Sequence, residues 1–170
     1  MADVTVVKDL DAKRLVIEYV ASGSLESVWQ AFTQQDLFVQ WWGPEGWETS
    51  VKKFDFRVGG HVHYDMHCTD ANQVDWYDMH SWGIMEILDI VDRVSFTYKD
   101  YFTDETGVPN LDMPATTSTN TFTEENGKTR ITTVCTADTA EQIEELLNMG
   151  MVQGYASMLD CLNALLTTNN

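Results

Sequence analysis

The chain's four histidines, together with nearby carboxylates, are its densest source of coordination chemistry. From His61 to Cys68 the residues alternate, so in a strand His61, His63, Asp65 and His67 share one face while Val62, Tyr64, Met66 and Cys68 take the other. The stretch Trp76 to Ile90 reads as the partner strand. It carries Tyr77, Met79, Ser81, Gly83 and Met85 on one parity and Trp76, Asp78, His80, Trp82 and Ile84 on the other. Matching the apolar sets predicts an antiparallel register that pairs Met66 with Tyr77, Tyr64 with Met79 and Val62 with Ser81. The same register sets His63 beside His80 and Asp65 beside Asp78. These are ligand types for zinc or another divalent ion. The spacing, however, lacks an H-E-x-x-H or C-x-x-C signature, and the face is assigned to solvent. The reading is exposed imidazoles balanced by acids, and no metal and no cofactor are expected.

Covalent catalysis has little support. The sequence contains no G-x-S-x-G, no Walker loop and no G-x-G-x-x-G, and no histidine lies near Cys135 in sequence. Cys68, Cys135 and Cys161 are an odd set without disulfide or zinc spacing and read as buried free thiols. Asp36 reads as a helix N-cap before Leu37. No catalytic residue is assigned, and acid–base chemistry would have to rest on pocket tyrosines or on an acid of shifted pKa.

The elements that must position these residues follow from periodicity and breakers. Leu15 to Ala21 reads as a first strand. Ser24 caps a short helix to Thr33 with Leu25, Val28, Trp29 and Phe32 on one face. Asp36 to Trp42 offers a second short turn, closed by Gly43-Pro44. The run Trp41-Trp42-Gly43-Pro44-Glu45-Gly46-Trp47 is then a tight aromatic corner, because Pro44 interrupts any regular element. Glu48 to Arg57 reads as a strand with Phe54 and Phe56 on one face, broken by Gly59-Gly60. Arg93 to Tyr98 continues the sheet, and Lys99 to Met113 reads as a polar loop able to lid a cavity. Pro114 to Thr123 and Thr129 to Ala137 form a last hairpin around Asn126-Gly127. Asp138 with Glu141 predicts the cap of one long helix to about Leu166, with Leu147, Met151, Gly154, Tyr155, Met158, Leu162 and Leu165 as its buried stripe. Gly150 and Gly154 each cost such a helix about 1 kcal/mol relative to Ala, which predicts a close approach to its backbone.

At 170 residues one domain spanning 1–170 is expected, with a core that needs no staples. The fold class is α+β. The chain carries 27 acids against 10 bases, a formal charge of −17, which disfavours nucleic acid and anionic membrane surfaces as partners. There is no apolar run long enough for a membrane span, and the first thirteen residues carry acids where a signal peptide has bases, so a cytoplasmic location is expected.

The ordered set of Trp41-Trp42-Gly43-Pro44, Arg57-Val58-Gly59-Gly60 and Met149-Gly150-Met151-Val152-Gln153-Gly154-Tyr155 resembles the SRPBCC or START-like (birch-pollen-allergen-like) helix-grip superfamily. The match runs from about Leu15 to Leu166 and is nearest the branch related to the activator of the heat-shock protein (Hsp) ATPase. The resemblance implies a curved antiparallel sheet wrapped around a long C-terminal helix, two short helices after the first strand, and a cavity between sheet and helix. By spacing alone, Trp29, Phe56, Tyr64, Met66, Met79, Tyr98, Met151, Tyr155 and Met158 are inward-facing core; with the resemblance they become the expected lining for a small hydrophobic molecule. Two alternatives stay open at this stage: a protein-interaction domain like the chaperone activators, including a homodimer, and a cyclase-like or hydrolase-like enzyme in the same cavity.

Overall fold

Two strands at the N-terminus, β1 (Thr5–Asp9) and β2 (Arg14–Ala21), start a sheet that the rest of the chain completes. After α1 (Leu25–Thr33) and α2 (Gln35–Trp41) come β3 (Trp47–Phe54), β4 (His61–Cys68), β5 (His80–Val91), β6 (Ser95–Phe102), β7 (Thr116–Glu125) and β8 (Lys128–Thr136). The chain ends in α3 (Ala140–Asn148) and α4 (Met151–Thr168). The eight strands form one curved antiparallel sheet in the order β1-β2-β8-β7-β6-β5-β4-β3, and α4 packs into its concave face. The computed structural model describes residues 3–168; Met1, Ala2, Asn169 and Asn170 of the expected single-domain span lie outside the described residues. No described helix is long and apolar enough to cross a membrane.

Local chemistry explains most boundaries. The Ser24 hydroxyl accepts from Ser27 N–H at 3.2 Å and starts α1. Asn126 and Gly127, at φ of +53° and +78°, make the two-residue turn between β7 and β8. In the aromatic corner Trp41 is 1% exposed and donates its indole N–H to the Ala31 carbonyl at 2.8 Å. Phe38 stacks on Trp42 at 4.9 Å, so Trp41 and Trp42 are core, while Trp47 is half-buried and donates its indole N–H to Gln73 Oε1 at 3.1 Å. Gly43 and Gly46 take the positive φ values that let the corner turn.

Several expectations are corrected. The strand β1 escapes periodicity because four of its five residues are exposed, leaving no in–out alternation to read. The strand after the first histidine run begins at His80, not Trp76: Asp70 and Gln73 carbonyls accept backbone N–H groups of Gln73, Trp76 and Tyr77, and these local bonds fold residues 69–79 into a turn. The β4–β5 register is consequently displaced by four residues, pairing Tyr64 with Gly83, Met66 with Ser81 and His67 with His80. An even displacement keeps each parity on its predicted face. The C-terminal helix is two helices, because Gly150 at φ +85° terminates α3 in the left-handed conformation. Its cap is Thr139 with Gln142 in a capping box, one residue past the predicted Asp138 and Glu141. A side chain at Gly154 would meet nothing within 4 Å, so the close approach predicted there does not occur. Asp36 lies exposed in the first turn of α2, whose N-cap is Gln34.

Candidate functional site

The alternation Phe96, Tyr98, Asp100, Phe102 along β6 sends four side chains toward the concave face, and the third of them is an acid. Opposite stands the α3–α4 junction, where the break at Gly150 leaves Leu146, Met149 and Met151 facing the sheet. Between the two lies a cleft of about 260 Å³, lined by Tyr64, Asp100, Tyr101, Phe102, Pro114, Thr116, Leu146, Met149, Gly150 and Met151. Its wall is mostly apolar, with a polar group at the base: the Tyr64 hydroxyl donates to Asp100 Oδ1 at 3.0 Å.

Tyr64 reaches Asp100 because its cross-strand partner is glycine. A Cβ at Gly83 would fall 2.5 Å from the Tyr64 hydroxyl and 2.6 Å from its Cζ, so the ring occupies the space that any other residue would fill. Burial drives the Asp100 pKa from 3.8 up to about 6, against the lowering pull of hydrogen bonds from Tyr64 and the Tyr101 backbone. Burial and the Asp100 charge together hold the Tyr64 hydroxyl well above its ordinary pKa, so it remains a proton donor. At the rim, burial and the hydrogen bond to Glu86 at 2.9 Å push Tyr101 up to about 12. The lining contains no Ser, Cys, His, Lys or Arg. It therefore offers one carboxyl able to exchange a proton near neutral pH and the Tyr64 phenol, the Tyr101 hydroxyl being turned to Glu86 on the opposite parity, but no nucleophile with a base and no cation for an acidic ligand.

Of the residues expected to line a cavity, Tyr64 and Met151 stand on this cleft. Trp29 is buried between Phe96 and Phe122, at 6.1 and 5.4 Å, and Phe56 is half-buried against Phe54 and Phe96. Tyr98 and Met158 are buried in the main core, with Met66 packed at its edge. Tyr155 bridges the two core clusters and shares a 2.9 Å hydrogen bond with Thr133. Met79 does not face inward: it sits in the 69–79 turn, 45% exposed. Asp100, Tyr101 and Phe102, within the stretch expected as a polar loop, are the last residues of β6. The signal missed was the acid on the parity of Phe96 and Tyr98.

The loop itself does not lid the concave side. Gly107 lies against His63 and Ile84 on the convex face, while Pro114 and Thr116 reach the cleft rim. His63, expected at the solvent, keeps its outward face but is buried under this loop and against Trp82 at 5.4 Å.

A family model described as Activator of Hsp90 ATPase homolog 1-like protein matches residues 22–167. Among solved structures the chain is similar to protein Ms6760 from Mycobacterium smegmatis, with 34% identity, a TM-score of 0.84 and coverage of 96% of this chain and 97% of that one. It is also similar to a protein from Arthrobacter aurescens (25% identity, TM-score 0.86, coverage 96% and 91%). A third, from Staphylococcus epidermidis, is 27% identical with a TM-score of 0.81 and coverage of 98% and 95%. No curated protein matches the chain.

Proposed function

The chain belongs to the family of Activator of Hsp90 ATPase homolog 1-like proteins, whose helix-grip fold suits ligand binding or protein interaction, and on that premise we propose that it binds a small, neutral, hydrophobic molecule in the cleft between β6 and the α3–α4 junction. The observation that carries this reading is the Tyr64–Asp100 pair at the base of an otherwise apolar cleft. A few placed polar groups in an apolar wall orient a ligand, and about 260 Å³ lies just below the usual range for drug-sized ligands. The fit is to one ring or a short chain rather than a sterol. A carboxylate ligand is disfavoured, because Asp100 is the charged group in the lining and the chain's formal charge is −17. A phenol, alcohol or ketone would instead exchange hydrogen bonds with Tyr64 and Asp100.

The test is a thermal-shift and fluorescence panel of monocyclic phenols, short alcohols, ketones and the matching carboxylates. Neutral members should raise the melting temperature of the wild type and leave Leu146→Trp, which fills the cleft, unmoved. No shift across the panel, or equal shifts in the filled variant, would overturn the proposal. One observation favours a protein partner as a second reading: Trp76, Tyr77 and Met79 stand exposed together on the 69–79 turn. Self-association that disappears in a Trp76→Ser, Tyr77→Ser variant would support that reading.

A further inference from the structure

We propose that His67, Asp78 and His80 form a binding site for a divalent transition-metal cation of the zinc class on the convex side of the sheet, with Asp65 as the positioning residue behind His80. The site lies on the opposite face from the cleft and does not rest on the ligand proposal.

The register of β4 and β5 makes it. Because the strands pair four residues away from the simplest alternation match, His67 stands directly across from His80, and their rings stack at 4.1 Å with planes 5° apart. Asp78, just before β5, brings its Oδ1 to 2.9 Å from His67 Nε2. One donor atom from each of the three residues lies within 4.8 Å of the others. Small rotations of exposed side chains draw such a set to the roughly 2.0 to 2.2 Å at which nitrogen and carboxylate oxygen bind zinc, with water in the fourth position.

Asp65 supplies the independent observation. Its side chain is 5% exposed, and its Oδ2 sits 2.5 Å from His80 Nδ1. With Nδ1 turned to Asp65, the other ring nitrogen of His80, Nε2, is the one left to face a metal. This carboxylate–imidazole arrangement orients a metal-binding histidine and raises its basicity. Asp65 Oδ1 is buried with no hydrogen-bond partner, an expensive state for a carboxylate. A cation on His80 Nε2 strengthens the Nδ1 hydrogen bond to this half-satisfied carboxylate. Two imidazoles and a carboxylate select zinc, copper or nickel over magnesium or calcium, and the chain's excess of acids favours a cation at the surface.

The experiment titrates the full chain with zinc chloride by calorimetry and, separately, with cobalt chloride followed by visible absorption. One equivalent of zinc should bind, raising the melting temperature with concentration, and cobalt should develop the absorption bands of a four-coordinate site. His67→Gln and His80→Gln, both at accessible positions, should each lose the cobalt spectrum. Asp65→Asn should keep it with affinity reduced roughly 10- to 100-fold, and Asp78→Asn, which removes a ligand at an exposed position, should lose the four-coordinate bands even if the buried change prevents folding. No binding at millimolar zinc would overturn the proposal. Binding that survives the double histidine variant, or that is lost instead on changing Cys161 to Ser, would also overturn it.

Discussion

Replacing Asp100 by Asn should make the protein more stable at neutral pH and should do so only there. In the folded protein burial raises the Asp100 pKa from 3.8 to about 6. At about 1.4 kcal/mol per unit this is roughly 3 kcal/mol of penalty for the ionised form. The sign follows from proton counts. Between about pH 4 and 6 the folded chain holds a proton on Asp100 that the unfolded chain has released, so stability from this group falls as pH rises through that window. Below pH 4 both states are protonated and the penalty is absent; above pH 6 it is fully present. Asn keeps an acceptor for the Tyr64 hydroxyl and carries no charge to bury. Urea unfolding of wild type and Asp100→Asn at half-unit steps from pH 4 to 8 reads the difference directly, since all other titrations cancel. The difference should be near zero at pH 4 and reach about 2 to 3 kcal/mol in favour of Asn at pH 8. A flat difference, or one that grows toward acid, would show that Asp100 is solvated in the native state and would remove the polar base from the cleft.

Gly83→Ala should displace the Tyr64 ring, whose hydroxyl lies 2.5 Å from the added carbon. We expect a loss of about 1 to 3 kcal/mol in unfolding experiments and, by NMR titration, a further rise in the Asp100 pKa as the Tyr64 hydrogen bond is lost. The two glycines near the start of α4 should respond oppositely to Ala. Gly150→Ala should cost about 1 to 2 kcal/mol because residue 150 sits at φ +85°, whereas Gly154→Ala should gain about 0.5 to 1 kcal/mol because its added carbon meets open space inside a helix. Equal melting temperatures for those two variants would mean that the helix break is misplaced.

The residues by themselves determined whatever rests on short-range chemistry. The alternation from His61 to Cys68 gives β4 its observed bounds, Ser24 caps α1, Asn126-Gly127 turns the last hairpin, and Trp41 and Trp42 of the corner pack as core against Phe32, Phe38 and Tyr64. The α+β class was legible from the order of such signals, and the helix-grip family from the resemblance carried by Trp41-Trp42-Gly43-Pro44, Arg57-Val58-Gly59-Gly60 and Met149 to Tyr155. Strand pairing was not, because an antiparallel register satisfies the same alternation at every even displacement. Only the turn formed by residues 69–79 selects the one that sets His67 against His80 and Tyr64 against Gly83. The cleft was legible only in Tyr64 and Met151. Asp100 becomes a site residue by continuing the inward parity of β6 into what composition marks as a loop, and its raised pKa exists only where distant elements exclude water from it. Gly150, read as a weak point in one helix, opens the cleft by ending it, since a positive φ is a property of the folded backbone that residue type permits but does not impose.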